Sequence, residues 1–234
     1  MVKIYLSVCA FLCIYQNGFA QDSLQILFPG QYHDDEVDNN DVKKQWIGLF
    51  FNNENYYLAK TTIAISKIDD PVSDEDSLHP SGDFITVAGS DQCILLLSGS
   101  SFKERENIDH IDVQHNQLSP GEFIEFGYND LKYKIYAEGD AYDETTGWLN
   151  GAYRLYIRET NRLFHNQLIS SDSMYSESPY SILWVGDLDG DKEIDLLINL
   201  SANYNLSLPT LFLSGGKRKG ELMKKSAQLA SVGC

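Results

Sequence analysis

The chain has 234 residues, with 18 Lys+Arg against 34 Asp+Glu for a formal charge of −16, and 43% of its residues are hydrophobic. That acidity excludes nucleic-acid binding through phosphate contacts, which needs a basic surface. Such a length can bury one sizeable core.

In chain order, residues 1–20 (MVKIYLSVCAFLCIYQNGFA) come first, with an early Lys3, an apolar run from Ile4 to Tyr15, and small residues Gly18 and Ala20. This order predicts a secretory signal cleaved after Ala20 and an exported protein, periplasmic or extracellular, starting at Gln21. A lipoprotein signal is the rival reading, since Cys9 and Cys13 lie in the segment. However, Val8 and Leu12 stand where a lipobox wants a small residue. The apolar run is too short for the ~20 residues of a membrane helix, and no later stretch approaches that length. Without Lys3, 17 basic residues face 34 acidic ones.

Residues 21–44 read as an acidic leader: QYHDDEVDNND (31–41) offers little to bury and predicts mobility. Strand-like runs follow at 45–51, 56–68, 83–89, 92–99, 121–128 and 131–139. Further runs lie at 151–159, 162–170, 180–186, 194–201 and 208–215. They are short, rich in Ile, Val, Tyr, Phe and Thr, and often alternate polar with apolar. NNEN (52–55), GYND (127–130) and RETNR (158–162) supply turn-forming connectors. Only KRKGELMKKSAQLA (217–230) suggests a helix, short and C-terminal, and Gly220 weakens it.

The expectation is an all-β fold of mainly antiparallel sheets, sandwich-like or partly propeller-like, forming one domain over 45–234. A subdivision near 170–180 is the alternative. The acidic stretch 69–83 and the polar stretch 100–120 read as loops. Cys93 and Cys234 are the cysteines left after cleavage, and export permits a bridge between them. A buried thiol at Cys93 with an exposed one at Cys234 is the equal alternative, because spacing says nothing of geometry.

The densest chemical signal is GDLDGDKEIDLLIN (186–199), with acids at Asp187, Asp189, Asp191, Glu193 and Asp195 between two apolar runs. Calcium loops place side-chain oxygens at positions 1, 3 and 5, a carbonyl at 7 and a further carboxylate beyond. Counting from Asp187, the ligands would be Asp187, Asp189 and Asp191, the Glu193 carbonyl, and Asp195. An all-oxygen set favours Ca²⁺ over zinc or copper. An EF-hand is excluded, since its acid at position 12 is replaced by Ile198 and both flanks read as strands.

At these residues the chain resembles the FG-GAP/VCBS family, whose integrin-type members carry a D-x-D-G-D-G-x-x-D calcium loop before an apolar strand. Asp187, Asp189, Gly190, Asp191 and Asp195 match, and Lys192 departs from the usual Gly. If that position needs positive φ, Lys adds roughly 1 kcal/mol of strain. The resemblance covers 183–200 alone, and one copy does not imply a complete propeller. Residues 184–234 also resemble the C-terminal part of uncharacterised exported bacterial proteins.

Other clusters are weaker. Asp109, His110, Asp112 and His115 lack a metal-site spacing. His33 sits among Asp34, Asp35 and Glu36 in the leader. Ser98, Ser100 and Ser101 lack the G-x-S-x-G context of a nucleophile. Asp140, Asp143 and Glu144 lie beside Tyr142 and Trp148, the residue types of a sugar site, but a polar hairpin loop with an aromatic anchor is the favoured reading. Lys217, Arg218, Lys219, Lys224 and Lys225 read as a solvated basic surface.

Taken together, the residues predict an exported, non-enzymatic binding or structural module with one structural Ca²⁺, whose surface is left open to a protein, a glycan or no partner at all, and not to nucleic acid. The alternative is an exported hydrolase with structural calcium and a loop-built active site.

Overall fold

Alternation sets the strands. Over Leu131–Gly139, Leu131, Tyr133, Ile135 and Ala137 are buried while Lys132 and Glu138 are exposed, the two-residue period of a half-buried strand. The computed structural model describes residues 24–70, 80–89, 92–99, 102–140, 145, 152–161, 166–172, 179–201 and 203–232. Its first strands are β1 (Gln25–Leu27), β2 (Gly30–Tyr32), β3 (Trp46–Phe51), β4 (Tyr56–Thr61), β5 (Ile63–Ile68), β6 (Gly82–Val87), β7 (Cys93–Ser98) and β8 (Arg105–Ile108). There follow β9 (Phe123–Tyr128), β10 (Leu131–Gly139), β11 (Tyr153–Glu159), β12 (Asn166–Asp172) and β13 (Ser181–Gly186). The last are β14 (Asp195–Asn199), β15 (Leu206–Ser207), β16 (Pro209–Leu213), β17 (Lys224–Gln228) and β18 (Ser231–Val232). Among the described residues there is no α-helix, only a 3-10 turn at Asn39–Lys43. The protein is all-β, and its strand pairs are antiparallel.

Four sheets stack in layers: β12-β11-β10-β9, β13-β14-β16-β17, β1-β7-β3-β4-β8 and β2-β6-β5, with β15-β18 as a small pair. Between the first two, Ile135, Leu155 and Ile157 pack with Val185, Leu196, Ile198 and Phe212. On the other face of the β13-β14-β16-β17 sheet, Trp184, Leu197 and Leu211 pack with Leu49, Leu95 and Leu97. Leu96 and Trp46 then face Ile63 and Ile85 of the three-stranded sheet. The β13-β14-β16-β17 sheet is therefore buried on both faces, which is why Leu196, Leu197 and Ile198 run without polar alternation. A bulge between Ile182 and Trp184 leaves Leu183 exposed without shifting the rest of β13 to the wrong face.

The polar stretch 100–120, expected as a loop, contains β8 and then covers the edge of β13. Ile111 N–H donates to Val185 O at 2.9 Å and Asp187 N–H to Asp109 O at 3.1 Å. Covering an edge strand satisfies backbone groups that would otherwise invite pairing with another chain. Gly186 permits this approach, since a Cβ there would collide with the Asp109 carbonyl.

Three expectations are revised. The helix expected at 217–230 is absent: a loop follows β16 and the chain is extended again in β17, where pairing to β16 and burial of Ala227 outweigh helix propensity. The 56–68 run divides at Thr62 into β4 and β5, which belong to different sheets. Residues 24–44, expected as a leader outside the domain, carry β1, β2 and the 3-10 turn, and Ile26, Leu27, Tyr32 and Val37 are core residues. Across the suggested boundary near 170–180, Ile169 and Tyr180 share one core cluster.

Candidate metal centre

The acidic run forms the turn between β13 and β14, and its carboxylates first organise their own backbone. Asp187 Oδ1 accepts from Gly190 N at 2.7 Å and Oδ2 from Lys192 N at 3.2 Å. Asp189 Oδ1 accepts from Asp191 N at 3.2 Å, and Asp191 Oδ1 from Glu193 N at 2.8 Å. Such Asx turns let a short segment coil without helix or strand partners. The coil needs left-handed backbone at Gly190 (φ 88°) and at Lys192 (φ 69°), the position where the FG-GAP-like pattern has Gly.

Coiling brings Asp187, Asp189 and Asp195 together, with one carboxylate oxygen of each inside a group spanning no more than 4.8 Å. Asp195 is fully buried. Its Oδ2 accepts from Leu188 N at 2.7 Å and Asp189 N at 3.2 Å. Its Oδ1 accepts from Ser214 N at 2.8 Å and Ser214 Oγ at 3.2 Å. The residue thus braces the start of the loop against the end of β16. Burial, then the neighbouring Asp189 charge, push its pKa up to about 8 despite those donors. Burial and the Asp191 charge likewise raise Asp189 above the ordinary carboxylate range. Removal from water and mutual repulsion both disfavour the ionised forms, and a bound cation would reverse each effect.

Three sheets hold this loop. From β8, Arg105 donates through Nη2 to the Asp187 carbonyl, with Nη1 3.8 Å from Asp187 Oδ2. From β9 and its turn, Tyr128 Oη donates to Asp109 Oδ2 at 2.9 Å, and Asn129 Nδ2 to the Lys192 carbonyl at 2.9 Å. Burial, the Asp109 hydrogen bond and the Asp187 charge raise the Tyr128 pKa, so its hydroxyl stays a donor. From the β16–β17 loop, Ser214 Oγ lies 2.9 Å from both Asp191 oxygens. Gly215 is pressed against Asp189, where a Cβ would stand 2.5 Å from Oδ2. Lys217 pairs with Glu193, and burial lowers its pKa.

Of the five acids singled out from the sequence, the fold gathers Asp187, Asp189 and Asp195. Asp191 stands beside them, occupied by Ser214 and by Glu193 N, and the Glu193 carboxylate turns to Lys217. Sequence reading missed Arg105, Tyr128, Asn129, Ser214 and Gly215. Only SGG (214–216), directly after an apolar strand, offered a local hint of a backbone held close to something.

Among the described residues, the weaker clusters do not assemble into sites. His110 packs between the rings of Tyr56 and Trp184, at centroid distances of 4.6 and 5.8 Å, while Asp112 and His115 are exposed. His33 Nδ1 lies 2.8 Å from Asp70 Oδ1. Cys93 is a half-buried thiol near Leu95 O, and burial pushes its pKa up to about 12. The bridge to Cys234 involves a residue outside the described ones, as do most of 139–148, Ser100 and Ser101. A cavity of about 420 Å³ adjoins the acidic loop, walled by Glu193, Ile194, Tyr133, Glu159 and Lys217.

No protein-family model, curated protein or solved structure matches this chain.

Proposed function

We propose that this is an exported β-protein whose 187–195 loop binds one structural Ca²⁺, and that it serves as a non-enzymatic binding or structural module. The observation that carries this reading is the convergence of Asp187, Asp189 and Asp195 within 4.8 Å in a loop tied to three sheets. Three carboxylates so close repel unless protons or a cation offset them. Oxygen-only donors select a hard cation, and an irregular cluster of carboxylates suits the 6–8 ligands of Ca²⁺ better than the strict octahedron of Mg²⁺.

In this reading Asp187 and Asp189 are the principal ligands. Asp195 contributes an oxygen while its shorter bonds, to Leu188 and Ser214, keep the brace. Asp191 and the Glu193 carbonyl complete the shell with water. The ion would draw β8, the β9–β10 turn and the β16–β17 loop to one point, so its effect on stability is global. Extracellular-type loops bind at about 10⁻⁴–10⁻³ M, which suits compartments rich in calcium. The cavity beside the loop shares Glu193 and Ile194 with it, which makes loop order a determinant of any surface that binds a protein or glycan there.

Isothermal titration calorimetry with CaCl₂ and with MgCl₂ tests the proposal. It predicts one calcium site per chain, weaker binding of magnesium, and loss of the calcium heat in Asp189→Ala. Equal binding of both ions, or none of either, would remove it.

A further inference from the structure

Resting on the calcium reading, we infer that Arg105 is a built-in counter-cation of the loop that competes with the metal, so that it supports the calcium-free fold and lowers calcium affinity. The guanidinium reaches the loop from β8, a strand of a different sheet from the two that flank the acids. Its Nη2 holds the Asp187 carbonyl, and Nη1 faces Asp187 Oδ2 at 3.8 Å. A Cβ on Gly190 would meet Nη1, the far end of the Arg105 side chain, so a larger residue at 190 would displace the guanidinium from this position. Gly190 therefore provides both the left-handed backbone of the turn and the space for the cation. Arg105 Nε is itself buried with no hydrogen-bond partner among the described residues, so the contacts seen for the side chain are those of its terminal nitrogens with the loop.

Electrostatics then give Arg105 two effects of opposite sign. Without metal it offsets charge on Asp187, and through it the repulsion among Asp187, Asp189 and Asp195. With metal, a unit positive charge beside a carboxylate of the coordination shell repels the incoming divalent ion. Both effects are moderated by partial exposure, since the Arg105 side chain retains 31% of its accessibility and is screened accordingly.

The test compares the parent with Arg105→Gln and Arg105→Lys, by calcium titration calorimetry and by thermal unfolding in EGTA. Arg105→Gln is expected to bind calcium on the order of tenfold more tightly, as removal of a nearby unit charge predicts. In EGTA it should melt about 2–4 °C lower. Arg105→Lys, which keeps the charge, should stay near the parent in both. Unchanged or weaker calcium binding by Arg105→Gln, together with an unaltered melting point in EGTA, would overturn the inference. If the parent itself fails to bind calcium, the proposed function fails separately. A cycle of Arg105→Gln with Asp187→Asn in EGTA then decides the counter-cation role: coupled losses support it, and additive losses refute it.

Discussion

Asn129 donates its side-chain amide to the carbonyl of Lys192 at 2.9 Å, so a turn of one sheet holds the strained residue in the acidic loop of another. Lys192 has φ 69°, where a residue with a Cβ is disfavoured by roughly 1 kcal/mol or more. Lys192→Gly should relieve that strain, raising the melting temperature by about 2–4 °C at full relief, and tightening calcium binding. Asn129→Ala should act in the opposite direction. Differential scanning fluorimetry of the two variants and their combination checks both signs.

The β16–β17 loop contains two adjacent glycines with different roles, which makes them a matched pair. A Cβ on Gly215 would press on Asp189 Oδ2, whereas one on Gly216 meets nothing within 4 Å, although φ there is 73°. Gly215→Ala should therefore weaken calcium binding about tenfold or more by displacing a ligand. Gly216→Ala should lose roughly 1 kcal/mol of stability from backbone strain and leave the calcium affinity unchanged. Calorimetry on both variants separates the two effects.

Protonation makes a third prediction. The Asp195 pKa is pushed up to about 8 in the metal-free fold, against about 4 for an exposed aspartate. Between those values the folded chain holds a proton that the unfolded chain releases, so stability falls as pH rises from about 4 to about 8. Calcium binds the ionised form, so added calcium should raise the melting temperature far more at pH 8 than at pH 5. Melting curves at both pH values, in EGTA and in calcium, should show this crossover. An equal calcium shift at the two pH values would contradict it.

What was legible in the sequence was local. The alternation of Leu131, Tyr133, Ile135 and Ala137 marked β10 directly, and the spacing of Asp187, Asp189 and Asp195 marked the candidate site without any knowledge of the fold. Partners supplied from elsewhere in the chain were not legible. Arg105 is 82 residues from Asp187, and Ser214 is 23 from Asp191. No periodicity links such positions, because sheet stacking brings them together. The same cause explains the missed helix: the apolar positions of 222–230 satisfy the core through extended pairing with β16, a partner that a single segment does not reveal. The residues at 24–44 misled for a related reason. The acidic stretch 31–41 masks them, yet Ile26, Leu27, Tyr32 and Val37 enter cores that other strands build.

On the proposed reading, a divalent ion among Asp187, Asp189 and Asp195 holds the three sheets together at the loop. The decisive measurement is thermal unfolding in EGTA and in 10 mM CaCl₂ for the parent, Asp187→Ala and Asp189→Ala. With a dissociation constant near 10⁻⁴ M, linkage predicts about 2.7 kcal/mol of stabilisation, or roughly 5–10 °C, in the parent. Both variants should lose that shift. A parent whose melting point ignores calcium, beside variants as stable as the parent in EGTA, would make the loop an acidic turn without a metal and contradict the account.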